Sequence, residues 1–172
     1  MSNKKHYVIT SITLGAIAAS SALLIGLSNM ATKNAIAKNE LNKINAGIAE
    51  IYGQNATISE KTAVEGIYLQ ELYTVKDNTD ALVGIAYKTS GSNMYGKITL
   101  IIGFEIASHN LLGVSIVTNE QTYASTLVEN YVDPINAGSR EYTDVTCGAT
   151  YGAKLIREMV FEAQDNLGGL GE

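Results

Sequence analysis

The sequence predicts an α+β protein, an antiparallel sheet with packed helices, preceded by one N-terminal transmembrane helix. Three observations predict it: an uncharged apolar run between His6 and Lys33, four short β-rich runs separated by turn-formers, and a helical apolar stripe near the C-terminus. A chain of 172 residues accommodates one modest domain plus an appendage. With 46% apolar residues, 17% charged residues and a single proline, it has the composition of an ordered chain.

The stretch VITSITLGAIAASSALLIGL, Val8 to Leu27, has the ~20 residues a helix needs to cross the hydrocarbon layer. Lys4 and Lys5 precede it, and the positive-inside bias then holds the amino terminus in the cytoplasm and sends the remainder outward. A cleaved signal peptide is the competing reading, but its apolar core is typically ~7 to 15 residues, shorter than this run. With no cysteine just past the span, a lipoprotein anchor is excluded. Beyond it, Ile36, Leu41, Ile44, Ile48 and Ile51 recur at helical intervals among charged residues, which predicts an amphipathic helix ending near Gly53. Strands are predicted at 67–75, 81–89, 97–106 and 111–119, with turns at Asp77-Asn78, Gly91-Ser92-Asn93 and Ser108-His109-Asn110. Helices are expected around Tyr123 to Tyr131 and from about Thr150 to Gln164, the second with Ala153, Ile156, Val160 and Ala163 on one face. The tail from Gly168 to Glu172 reads as loose. Three regions result: 1–32 for the cytoplasmic N-terminus and span, 33–52 for the linker helix, and 53–172 for an extracytoplasmic domain.

Charge narrows the function. The chain carries 12 Lys and Arg against 17 Asp and Glu, and an acidic chain is a poor reader of phosphate backbones, so nucleic acid is excluded as a partner. Residues 53–172 hold 7 basic and 15 acidic side chains, a balance of −8, while Lys4, Lys5, Lys33, Lys38 and Lys43 flank the span. Such lysines suit the headgroup level of a membrane, and the acids keep the outer domain soluble. One cysteine allows no internal disulfide and no multi-cysteine metal site, and two distant histidines make no metal cage.

The stretch that carries chemistry is Asp144-Val145-Thr146-Cys147-Gly148-Ala149-Thr150-Tyr151-Gly152-Ala153-Lys154. A β-leaning run reaches a flexible glycine-alanine step and then opens a helix with Thr150 in its first turn. Free N–H groups and the dipole at such an end favour an anion such as phosphate, with Lys154, Arg157 and Arg140 available to neutralise it. The plain alternative is that Asp144, Thr146 or Thr150 caps the helix and Gly148 turns the chain. Neither the P-loop nor the dinucleotide glycine fingerprint is present. Cys147 reads either as a small buried residue or as a reactive thiol of an exported enzyme. His109 lies in a polar turn with no spacing that ties it to Cys147.

These residues resemble the FMN-binding domain shared by the G subunit of the Rnf ion-pumping electron-transport complex and the C subunit of the sodium-pumping NADH:quinone reductase. The flavinylation motif of that family runs Asp, two variable residues, Ser or Thr, Gly, Ala, Thr. Asp144 to Thr150 matches it except at Cys147, where a hydroxyl residue is usual. The resemblance implies that Thr150 bears FMN through a phosphoester, transferred from FAD by a Mg²⁺-dependent flavin transferase, with Asp144, Cys147, Gly148 and Ala149 in the attachment motif. Thr32 and Ile36 after the span, and Tyr95-Gly96 before a core strand, are also similar to the family. Its Glu-Thr-Pro-Gly-Leu-Gly loop beside the flavin corresponds to Glu120 to Ser125, where only Thr122 clearly matches. The ring would need aromatic packing, for which Tyr95, Tyr123, Tyr142 and Tyr151 are candidates.

The resemblance implies a membrane-anchored electron carrier working with the membrane subunits of an Rnf-like complex. A free-standing extracellular flavoprotein and a cofactor-free anchored module, binding or structural, are the other readings of this sequence.

Overall fold

The computed structural model describes residues Ser2–Gly169. The chain forms two compact units, one up to Leu41 and one from Asn42 onward. The span and the linker helix, read separately from sequence, are one helix, α1 (Ser2–Tyr52), with no break between them. No proline or left-handed residue interrupts it before Gly53, where φ is +99°.

Within the first unit α1 is long and apolar enough to cross a membrane. Ile9, Ile12, Leu14, Ile17, Leu23, Leu24 and Ile25 all lie exposed, as expected of a helix whose partner is lipid. Three hydroxyls in this stretch are turned back on the helix: those of Thr10, Thr13 and Ser20 donate to carbonyls four residues earlier, at 2.8, 3.0 and 2.8 Å. Hydroxyls satisfied in this way need no water.

The second unit is built on a five-stranded antiparallel meander, β1 (Thr57–Ala63), β2 (Leu69–Lys76), β3 (Leu82–Asn93), β4 (Gly96–Glu105) and β5 (Leu111–Asn119), in spatial order 1-2-3-4-5. The sequence reading has four of these strands. It has no counterpart of β1, which is exposed at every position but Ile58 and therefore lacks alternation; Glu60 and Lys61 keep this edge polar. After β5 come a short helix α2 (Ala124–Leu127), a π turn (Val128–Val132) and α3 (Asp133–Asn136). The single helix expected around Tyr123–Tyr131 is thus a broken run extending further. Pro134, which has no N–H to donate, lies just past the π turn. The last element is α4 (Thr150–Gly169). It continues past Gln164 because Leu167 is buried and Asn166 accepts a hydrogen bond from the Tyr87 hydroxyl at 2.9 Å. Gly168 and Gly169 are therefore helical, and Leu170–Glu172 lie outside the described residues.

The sheet is covered on both faces. On one, Tyr87, Leu100, Ile102 and Phe104 pack with Ala153, Ile156, Met159, Val160 and Ala163 of α4 and with Leu127 and Tyr131. On the other, Ile44 and Ile48 of α1 pack with Tyr73, Val75, Ala86, Ile101 and Val117. The end of α1 is set by two glycines. A Cβ on Gly84 would stand 2.2 Å from Tyr52 Cε1, and one on Gly103 would stand 2.9 Å from the Tyr52 hydroxyl. The ring lies directly on the sheet backbone, and its hydroxyl donates to the carbonyl of Ile85 at 2.8 Å with that of Phe104 at 3.0 Å. Burial raises the Tyr52 pKa far above the ordinary tyrosine value. At the β5 edge the Asn136 amide imitates a strand, accepting from Val114 N–H at 2.8 Å and donating to Val114 O at 2.9 Å.

Gly84→Ala should lower stability by about 1–3 kcal/mol, since Tyr52 and the Phe104 carbonyl leave no room for a methyl group. Gly168→Ala, with nothing within 4 Å, should be neutral or slightly stabilising. Thermal unfolding of the full chain in detergent, followed by circular dichroism, distinguishes the two; equal melting temperatures would contradict the packing described for Tyr52.

Candidate functional site

A cavity of about 340 Å³ opens at the N-terminus of α4, lined by Tyr95, Gln121, Tyr123, Leu127, Gly148, Ala149, Thr150, Tyr151 and Gly152. Its walls come from three places in the chain. The tip of the β3–β4 hairpin contributes Tyr95. The segment after β5 contributes Gln121, Tyr123 and Leu127, and the start of α4 contributes the rest.

The first two walls are joined by backbone pairing. Glu120 N–H donates to Lys97 O at 2.8 Å, and Thr122 N–H donates to Tyr95 O at 3.0 Å. This approach is possible because residue 96 is glycine: φ is +134°, and a Cβ there would lie 2.1 Å from Glu120 O. The third wall is tied to the hairpin by Asn93, whose Nδ2 donates to the Tyr151 carbonyl at 3.1 Å.

At the helix start, Ala153 N–H donates to Ala149 O at 3.1 Å, so the N–H groups of Thr150, Tyr151 and Gly152 have no acceptor within the helix. Thr150 is half-buried, and its neighbours Gly148 and Ala149 form the step that leads into the helix. Gly148 has φ +80°, a left-handed conformation that favours glycine. Gly152 has a different reason to be glycine. A Cβ on it would meet Leu127 Cδ2 at 2.8 Å, so its absence lets Leu127 and Gln121 approach the helix.

Three tyrosines form an aromatic rim. The ring of Tyr95 lies 6.1 Å from that of Tyr123 and 5.4 Å from that of Tyr151, centroid to centroid. Tyr123 and Tyr151 are more than half exposed, so the rim is open to solvent. Lys154 Nζ stands 5.9 Å from the centroid of the Tyr151 ring, and Lys154 is exposed.

The residues singled out in the sequence divide accordingly. Tyr95, Tyr123, Gly148, Ala149, Thr150 and Tyr151 are brought together around the cavity. Thr122 is exposed and serves through its backbone pairing with Tyr95. Asp144 lies in the preceding loop, where its Oδ1 accepts the Thr146 N–H at 3.1 Å. That hydrogen bond, with a smaller contribution from Arg140, holds its carboxyl below the ordinary aspartate range. Arg140 is engaged in the same loop, donating to Asp144 O at 3.3 Å and Thr146 O at 2.9 Å. Arg157 lies two turns along α4 and does not line the cavity; its Nε is buried without a partner among the described residues. Cys147 is 7% exposed and belongs to the core. Tyr142 lies apart, its ring 5.5 Å from that of Phe161 and its hydroxyl donating to Gln164 Oε1 at 2.9 Å. His109, with φ +56°, sits in the exposed β4–β5 turn.

Gln121, Leu127 and Gly152 line the cavity without having been recognised in the sequence. A glycine inside a helix at Gly152, where propensity disfavours it, is the signal that was available.

The walls of the cavity differ in chemistry from one part to another. Free N–H groups next to a hydroxyl face one part of the cavity, and exposed tyrosine faces the other. The volume is at the lower end of the range for small-molecule sites, roughly 300–1,000 Å³. Gly152→Ala should displace Leu127, narrow the cavity and reduce loading of any group held there by several-fold, while leaving the far-ultraviolet dichroism of the chain unchanged. Full loading of that variant would mean that the space beside Gly152 is not used. No protein-family model matches the chain, and no curated protein is significantly similar to it.

Proposed function

We propose that the chain is a membrane-anchored electron-transfer flavoprotein carrying FMN as a phosphoester on Thr150, most closely comparable to the G-type subunit of an Rnf-like ion-translocating complex. The observation that carries this reading is the position of Thr150. It is the first residue of a 20-residue helix and stands on the wall of a cavity rimmed by three tyrosines.

Attachment requires a hydroxyl that a transferase can reach and a place for the phosphate it receives. The Thr150 oxygen forms the new bond to phosphorus, the pyrophosphate bond of FAD breaks, AMP leaves, and the hydroxyl proton is released. The N–H groups of Thr150, Tyr151 and Gly152 would be available to hold the phosphate, and the helix dipole would favour its charge. Lys154, one turn further on, adds a mobile positive charge at the rim. Bound FMN supplies reversible electron transfer, and the protein's part is to hold it and leave an edge accessible. Tyr95, Tyr123 and Tyr151 offer flat surfaces for the ring while the open rim gives a partner access.

The membrane anchor and the site belong to one reading. A carrier on the outer side cannot recover a dissociated cofactor from a cytoplasmic pool, so a covalent bond suits it. On this reading Lys4 and Lys5 fix the amino terminus inside, the domain from residue 53 lies outside, and the partners are the membrane subunits of the complex. The segment Tyr123 to Ser125, which departs from the family loop, favours a free-standing carrier as the second reading.

Co-production of the full chain with a flavin transferase, followed by denaturing electrophoresis, tests attachment. A fluorescent band is expected for the wild type and for Thr150→Ser at reduced yield, and none for Thr150→Ala. A band that survives in Thr150→Ala, or a wild type whose peptide lacks the added flavin mass, would overturn the assignment. Co-purification with membrane subunits then separates the complex subunit from the free-standing carrier.

Asp144→Asn distinguishes loop structure from recognition, because the amide keeps an acceptor for Thr146 N–H but loses the charge. Loading should fall at least tenfold with little change in melting temperature if the transferase reads the carboxylate. Unchanged loading would restrict Asp144 to its turn.

A further inference from the structure

We propose that Gln121 contacts the cofactor directly, its side-chain Oε1 held as a fixed acceptor for a hydroxyl of the ribityl chain of the flavin esterified to Thr150. This inference rests on the function proposed above and adds a binding residue that neither the attachment motif nor the aromatic rim contains.

The orientation of the Gln121 amide is determined by its neighbours. Tyr95 N–H donates to Asn93 Oδ1 at 2.8 Å, and Asn93 Nδ2 donates to Tyr151 O at 3.1 Å, so backbone groups fix the Asn93 amide from both ends. Asn93 Oδ1 is then an acceptor, and it lies 3.1 Å from Gln121 Nε2. The second partner of Nε2 is the Gly96 carbonyl, also an acceptor. Both facing atoms require a donor, so the amide nitrogen must point toward them and the amide oxygen must point away.

That oxygen lies on the cavity side. Gln121 is 7% exposed and lines the cavity together with Gly152. Its Oε1 stands 3.4 Å from the point a Cβ on Gly152 would occupy. Among the described residues no donor reaches it, and it is not sealed from solvent but stays open on the cavity side. The cavity therefore presents one oriented acceptor beside the free N–H groups of the helix.

Distance selects which part of the flavin supplies the donor. Thr150 and Gln121 stand on the walls of the same small cavity, of about 340 Å³. Atoms within reach of Oε1 are those that immediately follow the phosphate, and in FMN these belong to a five-carbon polyol whose hydroxyls donate. The ring would then be held toward the tyrosine rim. A bound polyol hydroxyl would satisfy Oε1 and restrict the angle at which the chain leaves the phosphate.

Two variants of the full chain, each co-produced with the transferase, test this. Gln121→Met is similar in length but cannot accept, whereas Gln121→Glu retains acceptor oxygens and loses the donor to Asn93 and Gly96. Peptide mass spectrometry reports attachment, and visible circular dichroism with fluorescence anisotropy reports how rigidly the attached flavin is held. Gln121→Met should carry flavin on Thr150 with dichroism and anisotropy reduced roughly two- to tenfold in ordered population, the factor a single neutral hydrogen bond is worth. Gln121→Glu should retain most of both signals even where its melting temperature falls. Wild-type signals in Gln121→Met, or loss in Gln121→Glu equal to that in Gln121→Met, would overturn the contact while leaving attachment intact. A wild type without flavin on Thr150 would overturn the underlying reading and this one with it.

Discussion

The site depends on the close backbone contact between the tip of the β3–β4 hairpin and the segment that leaves β5. Gly96 makes the contact possible, since any side chain at residue 96 would overlap the Glu120 carbonyl. Once the two segments are paired through Lys97–Glu120 and Tyr95–Thr122, the remaining geometry follows from short local connections. Tyr95 and Tyr123 are brought within ring-contact distance, Gln121 is turned inward, and Asn93 reaches the first turn of α4. Three segments far apart in sequence thus converge on one helix end through backbone hydrogen bonds and two amide side chains. Such links hold geometry more firmly than long flexible side chains do.

The helix on the other side of the cavity is fixed by a different force. Ala153, Ile156, Met159, Val160 and Ala163 are fully buried against the sheet, which holds α4 along its length and leaves its N-terminus at the cavity. The small residues matter here as much as the large ones. Gly152, with no Cβ to meet Leu127, keeps the first turn close to that side chain. A helix end of this kind stabilises one negative charge by some tenths of a kcal/mol to about 2 kcal/mol. For that reason a covalent bond, and not the electrostatic attraction, would hold a phosphate in a domain whose own balance is −8. The positive groups nearby are unequal: Arg140 is committed to the carbonyls of its own loop, while Lys154 is exposed at the rim.

Elements with a buried face were legible in the sequence, and those without one were not. Strands β2 to β5 and helix α4 have alternating or helical apolar patterns because each packs against the core. Strand β1 has no such pattern, because it is an edge strand with one partly buried residue; it is identified by pairing with β2, which the sequence does not encode locally. The extent of α4 was underestimated because two glycines near its end read as a loose tail, whereas Leu167 and Asn166 hold that turn through contacts with distant residues. At the site, the step from Gly148 to Thr150 was legible as a strand-to-helix transition. Gln121 was not, since its importance comes from Asn93 and Gly96, which lie 28 and 25 residues earlier. Tyr142 was grouped with the other tyrosines by proximity to the motif, yet the loop that follows it carries its ring away to Phe161.

Among the side chains with reactive atoms between Asp144 and Thr150, Cys147 and Thr150 are three residues apart and have opposite surroundings. Gly148 causes the difference. Its left-handed backbone reverses the chain, so Cys147 packs into the core beside the apolar residues below α4 while Thr150 faces the cavity. A thiol is compatible with that core because it has little to lose on leaving water, whereas a hydroxyl would need a partner there. The Asn130 amide already donates to the Cys147 carbonyl at 3.3 Å, so it secures the backbone at this position and not the side chain. Cys147 therefore occupies a packing position, while the hydroxyl three residues later stays accessible. Reactivity in this stretch follows from the direction in which the backbone turns each side chain, and the turn is made at the one residue whose φ requires glycine.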